Sequence, residues 1–146
     1  MIVRESIYES IKHLTPRSEE EILKNTDKQG FYETISVACQ NNLLSVVKKL
    51  FDSEEMIKEK GGYAIGLASI YDRYDIIKYL IEIGVDPASA TEENDNKTLK
   101  FTIDNSAFYA NPSNCKKIIE LLIQDKRVIN ALTPEQRTFL EEHDFI

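Results

Sequence analysis

Residues 61–87 read GGYAIGLASIYDRYDIIKYLIEIGVDP, and this stretch decides the fold. Ile65, Leu67 and Ala68 predict a short apolar helix, and residues 72–75 a tight polar turn. Ile76, Ile77, Leu80 and Ile81 then fall at the spacing that puts apolar side chains on one face of a second helix. Gly84 stands just past that helix, where the backbone commonly turns to positive φ, and Pro87 forbids continuation.

A weaker copy lies upstream, with Ala38 thirty residues before Ala68. There Ile35, Val37 and Ala38 predict the first helix, residues 40–42 the turn, and Leu43, Leu44, Val46, Val47, Leu50 and Phe51 the second. Downstream, Cys115, Ile118, Ile119, Leu122 and Ile123 mark another second helix, preceded by a first helix near residues 99–107. Residues 108–114 insert about seven residues between them by this alignment. Self-similarity at such a period belongs to stacked helix-pair arrays rather than closed globules. The flanks predict terminal helices. Ile7, Ile11 and Leu14 share a face in residues 2–29, with Ser18 and Glu21 set as a capping box. In residues 129–146, Thr133 and Gln136 repeat that device ahead of Phe139 and Leu140.

Composition bounds the rest. The chain has 146 residues, enough for one domain with a real core, and 42% of them are hydrophobic. No apolar run approaches the roughly 18 residues of a membrane span, and MIVRESIYESIKHL lacks a signal-peptide core, so cytoplasmic folding is expected. The net charge of −7 argues against nucleic acid as main partner, because phosphate contacts need a basic face. Lys48-Lys49 and Lys116-Lys117 read as solvated helix faces. Cys39 and Cys115 match no metal or redox spacing, and Cys39 reads as a small buried thiol.

Residues 61–87 resemble an ankyrin repeat. Against the pattern G-x-T-P-L-H-x-A-A-x-x-G-x-x-x-V-V-x-x-L-L-x-x-G-A-D-P they supply Gly61, Ile65, Ala68-Ser69, Ile76-Ile77, Leu80-Ile81 and Gly84-Val85-Asp86-Pro87. Residues 31–51 fit through Ile35, Ala38-Cys39, Val46-Val47 and Leu50-Phe51, and the last unit through Ile118-Ile119 and Leu122. The T-P-L-H tetrapeptide is missing throughout, and Asn42 and Asp72 replace the turn glycine. Periodicity alone also fits a HEAT-type solenoid; the Gly-Val-Asp-Pro ending favours ankyrin. The resemblance implies an all-α, ankyrin-like solenoid of about three degenerate repeats over residues 30–128, with helical caps at 2–29 and 129–146, the whole being one domain.

The same resemblance implies a monomeric, non-catalytic module that binds another protein through its concave face, without cofactor, metal, nucleic acid or membrane. Tyr32, Gln40, Asn41, Glu59, Lys60, Ile70, Tyr71, Lys97 and Asn105 would be the exposed positions there, with Phe108 and Tyr109 added by the insertion. Ile70 and Tyr71 have the character of interface anchors. A second reading is an acidic inhibitor or mimic that occupies a basic surface, and a host-directed effector is a form either could take. Catalytic signals are weak. His13 and His143 stand in the two flanks, no nucleophile elbow, phosphate loop or HExxH occurs, and residues 92–96 lack the calcium-loop glycine and glutamate.

Overall fold

The computed structural model describes residues 30–89, 96–108 and 112–146. Among them the chain is all-helical, with no strand. Helices α1 (Phe31–Gln40) and α2 (Leu44–Leu50) form the first pair, and α3 (Glu54–Ile70) and α4 (Tyr74–Glu82) the second. A 3-10 turn (Pro87–Ser89) follows, then α5 (Lys97–Phe108) and α6 (Pro112–Leu122). The chain closes with α7 (Lys126–Asn130) and α8 (Pro134–Glu142). The expected helical segments within residues 2–29, the Ser18 capping box and His13 lie outside the described residues.

The first members of the pairs touch in order, α1 on α3 and α3 on α5, while α2 packs on α4 and α4 on α6. One register of burial explains this layering. Thr34, Ile35, Ala38 and Cys39 of α1 are buried, as are Ala64, Ile65, Ala68 and Ser69 thirty residues on in α3. In α5 Thr98, Leu99 and Thr102 take these places thirty-four residues further. On the second helices, Val46, Val47 and Leu50 are matched by Ile76, Ile77 and Leu80, then by Ile118, Ile119 and Leu122 forty-two residues later. Three residues join α5 to α6, as three join α3 to α4, so the insertion expected at 108–114 is taken up within the helices, about four residues at the end of α5 and four at the start of α6. The apolar side chains among these belong to one hydrophobic core. Each fully buried Ile or Leu contributes roughly 1.5–3 kcal/mol to it.

Four helix ends close alike. Asn42, Asp72, Gly84 and Asp144 adopt positive φ of 57°, 61°, 112° and 61° after α1, α3, α4 and α8. The amide that follows each donates back to the helix, Leu43 N to Ala38 O at 2.8 Å and Arg73 N to Ala68 O at 2.8 Å, and likewise Val85 N to Leu80 O and Phe145 N to Leu140 O. This satisfies carbonyls the helix itself leaves orphaned. Asn and Asp can stand in for the expected turn glycine because they are the side-chain-bearing residues that best tolerate this conformation.

The helix expected to start near Gly61 is longer than the sequence suggests. It runs unbroken through residues 54–60, and only three residues join it to α2. Ser53 caps its start by accepting from Met56 N at 3.2 Å, and Glu54 and Glu55 suit the positive end of the helix dipole. Gly61 is tolerated mid-helix because nothing larger fits. A Cβ built there would lie 2.6 Å from Val85 Cγ2.

Candidate functional site

The buried positions of α1 and α3 fix which side chains they turn outward. On α3, Lys60, Tyr63, Leu67 and Ile70 follow one another at three- and four-residue steps, so they share a face. Tyr63 and Ile70 are 41% and 36% exposed, and Tyr32 of α1 is 50% exposed. The two tyrosine rings meet edge to face at 4.8 Å between centroids, joining both helices into one surface. Phe31 packs edge-on against Tyr32 at 6.2 Å and against buried Phe51 at 5.4 Å, which anchors the patch to the core.

Lys60 lies across this cluster. Its Nζ is 4.5 Å from the centre of the Tyr32 ring and 5.3 Å from that of Phe31, and it donates to Tyr32 Oη at 3.5 Å. Ring faces attract a cation through their quadrupole, and among the described residues no carboxylate joins them in holding this ammonium. Partial burial pushes the Tyr63 hydroxyl above the ordinary tyrosine range, aided by Cys39, Tyr32 and Tyr71 nearby, so the phenol stays protonated at neutral pH.

Several expected contact residues fall elsewhere. Asn105 is buried, not exposed. Its Nδ2 donates to Ser69 O at 2.7 Å and Ile70 O at 3.0 Å, capping the end of α3 from α5. Tyr71 is half-buried, because as the residue that closes α3 it packs against the core rather than standing on the outward face. Gln40 and Asn41 are exposed at the end of α1, and Asn41 Nδ2 donates to Val37 O at 3.0 Å. Glu59 is exposed on the extended start of α3, one residue from Lys60. Lys97 is half-buried at the start of α5, at the place that Tyr63 holds in α3 by the thirty-four-residue register. Tyr109 and the side chain of Phe108 lie outside the described residues, as does nearly all of the acidic run 92–96.

Tyr63 is the exposed aromatic that sequence reasoning missed. Its signal was there: it sits seven residues before Ile70, two helical turns along the same face. Arg73 was missed too. Its Nε donates to Cys39 O at 2.9 Å and its Nη2 to Gln40 O at 2.6 Å, so it caps α1 from the second pair as Asn105 caps α3 from the third. Asn114 adds Nδ2 to Asp72 O at 2.8 Å.

Elsewhere the chemistry is quiet. Burial raises the Cys39 thiol to about 12 against a smaller opposing pull from Arg73, and Cys39 Sγ donates to Ala64 O at 3.8 Å. Burial, with the Asp72 carboxylate beside it, raises Cys115 to about 11. Both thiols are protonated at neutral pH, the wrong state for a nucleophile or metal ligand. A groove of about 570 Å³ between α5 and the start of α8 is lined by both signs of charge, Lys97 and Lys100 facing Asp104 and Glu135. His143 stacks on Phe139 at 4.1 Å, on the far flank of the chain from the tyrosine cluster in sequence. Among the described residues no cluster of His, Cys, Asp and Glu could hold a metal ion, and no helix is long and apolar enough to cross a membrane.

Compared with models of protein families, with characterised proteins and with solved structures, the chain matches none.

Proposed function

We propose that this chain is a short ankyrin-like solenoid that acts as a non-catalytic binding module, gripping another protein through the outward face of α1 and α3. The observation that carries the reading is the exposed set of Tyr32, Tyr63 and Ile70, with half-buried Leu67 between Tyr63 and Ile70 on the same helix face. Large apolar side chains left at the surface and braced from beneath are what interface anchors look like. The solenoid part is supported by the recurring burial register and by helices touching in two rows. It is further supported by the side-chain caps that cross between pairs, Arg73 onto α1 and Asn105 onto α3. They take over the cross-linking that the missing Thr-Pro-Leu-His tetrapeptide provides in the family this chain resembles. α7 and α8 would then be the C-terminal cap, with Leu140 buried in the core and Gln136 within 3.4 Å of Asn96.

Local charge weighs against the acidic-mimic reading. Along the outward faces of α1, α3 and α5, Glu33, Glu59 and Asp104 are matched by Lys60, Lys97 and Lys100, so this surface is near neutral although the chain carries −7. Affinity capture from cytosol with wild-type protein and with Tyr63→Ala/Ile70→Ala tests the proposal. The variant should keep its helical circular dichroism and lose the partner, and the wild-type complex should weaken less than about threefold between moderate and high salt. Retention of the same partner by the variant would remove this face as the site.

A further inference from the structure

Lys60 narrows what the partner presents, provided the face proposed above is the binding surface. Among the described residues no carboxylate lies within ion-pair distance of it; its contacts are two ring faces and one phenol oxygen. An ammonium has three N–H donors, and Tyr32 takes one. That leaves two for water or for an acceptor that a partner supplies.

Three kinds of group could come down on this spot. A partner Lys or Arg stacked on the exposed Tyr63 ring would bring a second cation close to Lys60. At about 5 Å, like charges repel by roughly 1 kcal/mol in water and about 3 kcal/mol near a protein surface. A purely apolar group would strip water from the two remaining donors and return nothing. A carboxylate accepts from them and cancels the charge, and its neighbours can then bury Tyr63, Leu67 and Ile70. Phosphate is a poorer match, because its recognition usually rests on forked or clustered arginines rather than one lysine. Glu59 is exposed next to Lys60 in the chain, so an extended acidic run would meet a like charge there. We infer that the docking segment of the partner carries a single carboxylate next to apolar side chains, the carboxylate on Lys60 and the apolar groups along Tyr63, Leu67 and Ile70.

Three capped peptides test this by titration into the ¹⁵N-labelled full chain: acetyl-Leu-Phe-Glu-Leu-Leu-amide, its Gln analogue and its Lys analogue. The Glu peptide should shift the amides of Tyr32, Lys60 and Tyr63 and bind up to about fivefold tighter than the Gln peptide, the range of an exposed ion pair. Lys60→Gln should erase that preference and leave Gln-peptide binding unchanged, whereas Lys60→Arg should keep it. A free C-terminal carboxylate is tried by removing the terminal amide from the Gln peptide. Equal affinity for the Glu and Gln peptides, or a preference that survives Lys60→Gln, overturns the inference but leaves the binding face standing. Shifts confined to other residues overturn it too. Only capture that ignores Tyr63→Ala/Ile70→Ala overturns the face itself.

Discussion

Gly61→Ala is the sharpest test of how the second helix pair is packed, because two known effects oppose each other there. Replacing a mid-helix glycine by alanine ordinarily stabilises by up to about 1 kcal/mol, since the unfolded chain loses freedom and the helix gains a better former. Here the new methyl would stand 2.6 Å from Val85 Cγ2 and 3.3 Å from Cγ1, well inside contact distance. Val85 has little room to yield. Its side chain is buried, its β-branch restricts χ1, and its amide is tied to Leu80 O at 2.9 Å. Overpacking of this kind costs roughly 1–3 kcal/mol, so the clash should win and Gly61→Ala should destabilise by about 1 kcal/mol net. Val85→Ala should itself cost roughly 2 kcal/mol for two buried methyl groups and the space they leave. In that background the obstacle is gone, and Gly61→Ala should change sign and stabilise by up to about 1 kcal/mol. Urea unfolding followed by circular dichroism on the four members of the cycle gives the coupling energy, expected at about 1–3 kcal/mol. If Gly61→Ala has the same effect with valine or alanine at position 85, the close approach of Val85 does not govern this site.

Other changes should report on the caps and the buried thiols. Asn42→Ala should cost about 1 kcal/mol in urea unfolding because Asn42 sits at φ 57°, whereas Asn42→Gly should stay within about 0.5 kcal/mol of wild type. Arg73→Met should lower stability by about 1–2 kcal/mol and speed amide exchange near the end of α1, and Arg73→Lys should recover only part because it lacks the fork that reaches two carbonyls. Thr133→Ala should cost about 1 kcal/mol, since Thr133 and Gln136 cap α8 reciprocally at 3.1 and 3.0 Å. Cys39 titrates near 9.0 unfolded and about 12 folded, so its contribution is complete below pH 9.0 and disappears as pH climbs towards 12. Stability should therefore fall above pH 9, and less steeply in Cys39→Ala, while both thiols should resist a disulfide reagent at pH 8 until urea is added.

The helical pairs were legible because their signals are local. Ile76, Ile77 and Leu80 reveal a buried face by spacing alone, Thr133 and Gln136 reveal a helix start, and Gly84 reveals a helix end. The full length of α3 was not legible. Two adjacent glycines look like a break, and only the seat of Gly61 against Val85 shows why the helix runs through them. The candidate site was legible in part. Ile70 and Tyr32 were expected at the surface and are there, but Asn105 and Tyr71 turned inward. A polar asparagine reads as exposed until orphaned carbonyls on a neighbouring helix give it a buried partner.

The sequence by itself determined that this chain forms helices, where most of them stop, and which stripe of each is apolar, because those properties depend on residues a few positions apart. Tertiary structure alone decided that Tyr32 and Tyr63 meet as one surface, that Lys60 lies over aromatic rings, and that Arg73 closes α1, the first helix of the preceding pair. Those outcomes join side chains about thirty residues apart, and nothing along the chain announces them until the helices pack.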